Sequence, residues 1–148
     1  MTNTVIKTSI TGLLVFAFCT AGIVKITGKM APQVHQQMKR DFVELARVHP
    51  LKVWFARNVN PEMYRIIIGY LEVVCALLLY AGPRPLKLAS TAILLIIMVM
   101  MMQGLYWLGK PAILFTPATV CSILLVLNLM MLLGETPPRK ESDRQHRE

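Results

Sequence analysis

Two residues stand out as groups that could do chemistry inside a membrane. Glu72 is the one carboxylate in the apolar stretch at 66–80, IIIGYLEVVCALLLY, and Lys25 lies near the end of the preceding apolar run. A charged side chain within such a run costs roughly 2.5–3.5 kcal/mol to insert, so it is normally paired, turned to a cavity or functional. Helical side chains tilt toward the helix N-terminus. If the first two runs form antiparallel helices, Lys25 tilts back into the bilayer and Glu72 tilts toward the face Lys25 occupies. At 1.5 Å per residue, Glu72 sits ~10 Å inside its run and Lys25 ~3–4 Å inside the end of its own, a gap the lysine stem can close. Gly22 lies one turn before Lys25 and Gly69 one turn before Glu72, so small residues let the two backbones approach. The expectation is an intramembrane charged pair, Lys25 with Glu72, facing the bundle interior and meeting directly or through water. The competing arrangement has Lys25 reaching up to the headgroups and Glu72 protonated in apolar surroundings. Such a pair can fix helix register without catalysing anything.

Other reactive chemistry is sparse. No GxSxG, HExxH, phosphate-loop or dinucleotide pattern occurs. The histidines, His35, His49 and His146, all lie outside the apolar runs, which leaves haem or metal ligation little to stand on. His35 is expected on a solvated helix face and His146 in a polar tail. Cys19, Cys75 and Cys121 fall in three different runs with no CxxC, which predicts small packing residues and neither a disulfide framework nor a zinc site. Met98, Met100, Met101 and Met102 read as adaptable packing rather than soft-metal ligands. A proton relay would rest on Glu72 and Gln103 alone. The expectation is therefore no enzyme, no catalytic residue, no metal and no cofactor. The net charge of +8 sits between and after the apolar runs, where it suits topology and anionic headgroups. No basic face with interleaved aromatics calls for nucleic acid.

The elements that must position these residues follow from hydropathy. The 148-residue chain is 55% apolar and only 16% charged, with a mean hydropathy of +0.52, against ~25% charge in a soluble domain. Four runs are long enough to cross a ~30 Å hydrocarbon core. They predict an all-α, four-helix transmembrane bundle over 1–134, with spans at 5–27, 62–81, 86–108 and 113–133. The first run has Lys7 as its sole positive flank and continues through Ile23 and Val24, so it reads as a span rather than a cleaved signal. Asn3 or Thr4 can cap it. Residues 28–60 form a long polar connector in which Val34, Met38, Phe42, Leu45 and Val48 recur at helical spacing, predicting an amphipathic helix over 32–48 that His49-Pro50 stops. Leu51, Val53, Trp54 and Phe55 follow as an interfacial anchor or, with Phe42 and Gln103, a partner-binding surface. Gln103 can also bond to another helix. Asn60-Pro61-Glu62 is a helix start. Gly82-Pro83-Arg84-Pro85 forces a tight turn. Thr116-Pro117 either caps the fourth helix or bends one begun near Pro111. Residues 135–148 are expected to be a disordered tail. Basic residues flank the spans seven on one side and eight on the other, so positive-inside counting leaves orientation open.

GIVKITGKMAP at 22–32, QMKRDFVELARVHPLKVW at 37–54 and GYLEVVCALLLYAGPRP at 69–85 resemble the four-span DoxX-like proteins. More closely they resemble the transmembrane protein 35 group of acetylcholine receptor chaperones, with HPLKVW nearer its B-type paralogue. The resemblance covers about residues 10–133, and Gly22, Lys25, Gly69, Leu71 and Glu72 match the group's motifs. It implies a small multi-pass protein of the endoplasmic reticulum with both termini cytoplasmic. Its partners would be the lipid bilayer and client membrane-protein subunits, such as those of nicotinic receptors, whose assembly it would assist. The DoxX name implies an alternative, an accessory subunit of a membrane redox or transport complex.

Overall fold

A computed structural model describes residues 2–48 and 60–135. The cluster Leu51, Val53, Trp54 and Phe55, the stop at His49-Pro50 and the tail at 136–148 lie outside the described residues. The chain forms α1 (Thr2–Ile26), α2 (Pro32–Arg47), α3 (Pro61–Ala81), α4 (Arg84–Trp107), a short 3₁₀ turn (Ala112–Phe115) and α5 (Thr116–Gly134). Four of these segments are long and apolar enough to cross a membrane: α1, α3, α4, and α5 with its 3₁₀ turn. The architecture is an all-α, multi-pass membrane bundle, with the amphipathic α2 packed at the end opposite the termini.

Local chemistry sets the ends. Asn60 Oδ1 accepts from the Glu62 N–H at 3.0 Å, and Pro61 occupies the first turn of α3, where a missing N–H costs nothing. Pro83 and Arg84 restart the chain after a two-residue break, so α3 and α4 are antiparallel neighbours. Gly109 turns the chain at φ +64°, a left-handed conformation that glycine adopts without a Cβ clash. The choice at Thr116-Pro117 resolves as a 3₁₀ turn followed by a helix that begins at Thr116, with the proline in its first turn. At the N-terminus, Asn3 and Thr4 lie inside α1 rather than capping it, because the helix already starts at Thr2.

The most extensive packing is between α1 and α3, followed by α4 with α5. One core joins Leu14 and Phe18 of α1, Cys75, Ala76 and Leu79 of α3, Leu94 and Met98 of α4, and Leu125 of α5. A polar chain crosses it. Asn128 Nδ2 donates to Thr91 Oγ1 at 3.2 Å, Thr11 Oγ1 donates to Asn128 Oδ1 at 3.3 Å, and Thr91 returns its own proton to the Lys87 carbonyl at 2.8 Å. These bonds tie α1, α4 and α5 together where apolar contact alone would be nondirectional against lipid. At the terminal end, the Arg84 guanidinium donates to the Leu132 carbonyl at 3.0 Å and the Glu135 carbonyl at 2.6 Å, satisfying acceptors left over at the α5 C-terminus.

The face that α2 buries is rotated from the predicted stripe. Phe42 and Leu45 are buried and Met38 packs against the core, but Val34 is 49% exposed. His35 takes the inward position, against the expectation of a solvated histidine, because α1 ends above it with an unpaired carbonyl to offer. Phe42 is likewise not part of a docking surface. It is 2% exposed and meets the Tyr64 ring edge-to-face, with ring centres 5.2 Å apart.

Candidate functional site

The site is built on the α1–α3 crossing. On α1 the inward residues are Leu14, Phe18, Gly22 and Lys25; on α3 they include Arg65, Gly69, Glu72 and Ala76. These are three- and four-residue spacings, so each set is one helical face. The helices meet glycine to glycine. A methyl group at Gly22 would sit 2.7 Å from the Gly69 carbonyl oxygen, and one at Gly69 would sit 3.0 Å from the Gly22 carbonyl oxygen. Only bare backbone allows that approach, and it brings the next turns of the two helices within side-chain reach.

There, Lys25 Nζ donates to Glu72 Oε1 at 2.8 Å and to Oε2 at 2.6 Å. Glu72 is fully buried and Lys25 is 6% exposed. The carboxylate thus uses both oxygens on one ammonium, a charge-assisted arrangement shielded from water. The last turn of α1 leaves carbonyls without intrahelical partners, and two other elements satisfy them. The Arg65 guanidinium, 3% exposed, donates to the Lys25 carbonyl. His35 Nδ1 lies 2.6 Å from the Val24 carbonyl. A carbonyl can only accept, so Nδ1 carries the proton. Both groups place donors where the helix dipole is negative. One helix end is therefore clasped by α2 and α3 together.

Beside this clasp lies a cavity of about 270 Å³. Its walls are apolar, from Phe18, Met38, Phe42, Met98, Met101 and Leu105, while Lys25, Glu72 and Asp41 supply its polar atoms. Leu114 and Pro117 on its rim are exposed, so the space is reachable from outside the bundle. Asp41 stands apart from the ion pair. Burial pushes its carboxyl above the ordinary value of 3.8, Lys110 pulls it down and Glu44 pushes it up. Lys110 itself donates to Glu44, which holds the ammonium above its usual range.

A raised carboxyl in the folded state loses its proton later than it does in the unfolded chain. From pH 3.8 upward the unfolded chain therefore gains more from ionisation, and Asp41 counts against folding fully once pH exceeds its folded value. Asp41→Asn is accordingly expected to raise the thermal midpoint at neutral pH, with the gain shrinking as pH falls toward 3.8. Melting curves of both proteins across pH check this; a pH-independent gain would show that ionisation is not its source.

The structure brings Lys25, Glu72, Gly22 and Gly69 to one place. Gln103 is outside that group. It is exposed and, among the described residues, bonds to no other helix. Arg65 and Asp41 are site residues that the hydropathy reading passed over, and Asn128, a polar spot in the fourth run, belongs to the core. Arg65 carried a signal: it stands four residues before Gly69 and seven before Glu72, on their face. The three cysteines are free thiols. Among the described residues no three His, Cys, Asp or Glu side chains gather as a metal site.

No family model matches the chain. Curated proteins do. Over 145 residues, 97% of this chain, it is 28% identical to the novel acetylcholine receptor chaperone of Bos taurus, covering 78% of that protein. The same identity and the same share of this chain hold for its counterparts in Macaca fascicularis and Mus musculus, of which 83% is covered. The Xenopus tropicalis protein of that name is 27% identical over 131 residues, 88% of this chain and 78% of that protein. Along nearly all its length, this four-span chain is thus similar to the proteins named novel acetylcholine receptor chaperone.

Proposed function

We propose that this protein is a non-enzymatic membrane chaperone that assists assembly of multi-subunit membrane receptors, with nicotinic acetylcholine receptor subunits as its clients. The observation that carries the reading is similarity over 97% of the chain to proteins named for that role. The fold supports it. Only 11% of the most apolar window of the fourth span is buried, and Ile123, Val126 and Met130 of α5 are exposed. Client transmembrane helices dock on that kind of surface when their own partners are missing. Residues 28–48 and the exposed Gln103 add a polar contact surface at the α2 end. The Lys25–Glu72 pair and the Gly22–Gly69 crossing hold the scaffold rigid while clients exchange. The protein works in the endoplasmic reticulum membrane, where such receptors are assembled, with both termini cytoplasmic.

Co-expression with nicotinic receptor subunits tests this. Surface receptor, counted by labelled toxin or agonist binding, is expected to rise at unchanged subunit synthesis. Glu72→Gln is expected to weaken the rise at matched protein level. Unchanged surface receptor, with the protein present in the membrane, overturns the proposal.

A further inference from the structure

The cavity beside the clasp holds one carboxylate to which no side-chain cation bonds among the described residues. Lys25 and Glu72 neutralise each other through two hydrogen bonds. Outside, Lys110 bonds to Glu44 and attracts Asp41 only through space. The Arg65 guanidinium is spent on the Lys25 carbonyl and does not line the space. That leaves the Asp41 carboxylate, part-buried on α2 and without a bonded cation, facing a chamber whose other polar groups, Lys25 and Glu72, are paired with each other. A carboxylate in that setting is stabilised by a cation that brings its own apolar body. At about 270 Å³ the chamber is near the lower end of the ~300–1,000 Å³ seen for small-molecule sites, which are mostly apolar with a few placed polar groups.

We propose that this cavity binds an amphipathic amine. The ammonium pairs with Asp41, and the apolar part lies among Phe18, Met98 and Met101. The ligand enters past Leu114 and Pro117. Five helices and the 3₁₀ turn contribute lining residues, so occupancy bridges α1, α2, α3, α4 and α5. A bound amine therefore stabilises the α2 end of the bundle, whatever the protein's clients are. The proposal does not rest on the chaperone reading.

Cys121 lines the same space and is partly exposed, which provides a reporter. The full chain in lipid nanodiscs is alkylated with a maleimide, and the modification of Cys121 is followed by mass spectrometry, with Cys19 as internal control. The probes are 4-phenylbutylamine, the matched alcohol 4-phenylbutanol and the matched acid 4-phenylbutyrate. The amine is expected to slow Cys121 labelling at least fivefold and saturably, leaving Cys19 unaffected, while the alcohol and acid do little. Asp41→Asn is expected to weaken amine protection at least tenfold. Ala118→Trp, which fills the chamber, is expected to abolish it. Equal protection by all three probes overturns the proposal in favour of an apolar space for acyl chains. So does protection by the acid alone, or by none. The three-probe comparison on the unmodified chain needs no variant to fold.

Discussion

Glu72→Ala is expected to cost about 3–5 kcal/mol of stability, the range for removing one partner from a buried ion pair. The reason is what remains. Lys25 is 6% exposed and both its observed side-chain bonds go to Glu72. Without the carboxylate, an ammonium and the Arg65 guanidinium are left buried around the same helix end. The pair itself need not be a large net stabiliser, since its attraction is offset by the cost of taking both ions out of water. The double variant Lys25→Met/Glu72→Leu is therefore expected to recover most of the loss. Unfolding of the purified protein in detergent, carried out as a double-mutant cycle, separates the two effects. If Glu72→Ala alone shifts stability by less than about 1 kcal/mol, the pair does not hold α1 to α3.

Alanine at Gly22 is expected to be the most damaging methyl addition to any glycine of the first span. The new methyl would lie 2.6 Å from Val73 Cγ2 and 2.7 Å from the Gly69 carbonyl oxygen. Val73 can turn away, but the carbonyl is backbone, so the helices must separate. Overpacking of this kind costs about 1–3 kcal/mol, and separation also lengthens the Lys25–Glu72 bonds. Gly69→Ala is expected to cost less, since its contacts begin at 3.0 Å and two of the nearest three atoms belong to side chains. Gly12 supplies the control. It lies on the same helix with nothing within 4 Å, so Gly12→Ala is expected to gain up to about 1 kcal/mol from helix propensity. Thermal midpoints in the order Gly12→Ala, Gly69→Ala, Gly22→Ala, from highest to lowest, check the crossing. Were Gly22→Ala to behave like Gly12→Ala, the close approach would have no energetic weight.

The chain's own pattern was enough to lay out the rods. Runs of apolar residues set four spans because backbone in hydrocarbon must bond to itself. Asn60-Pro61-Glu62 and Gly82-Pro83 set helix ends through local hydrogen bonds and proline geometry. Lys25 and Glu72 stood out as charges in such runs. What periodicity could not supply was the partner arriving from elsewhere. His35 lies inward because α1 ends in a carbonyl that needs a donor, and nothing within α2 announces that. Phe42 is buried because Tyr64 comes to meet it. Arg65 sits inside the bundle because its guanidinium closes a helix end contributed by a different span. Asn128 reads as an isolated polar residue until Thr11 and Thr91 stand opposite it. Asp41 was one polar residue among many on an amphipathic helix, and the cavity it faces exists only once five helices and a turn surround it. Hydropathy and caps are properties of a segment. The burial of a polar group depends on donors and acceptors brought together from separate segments, and only packing decides that.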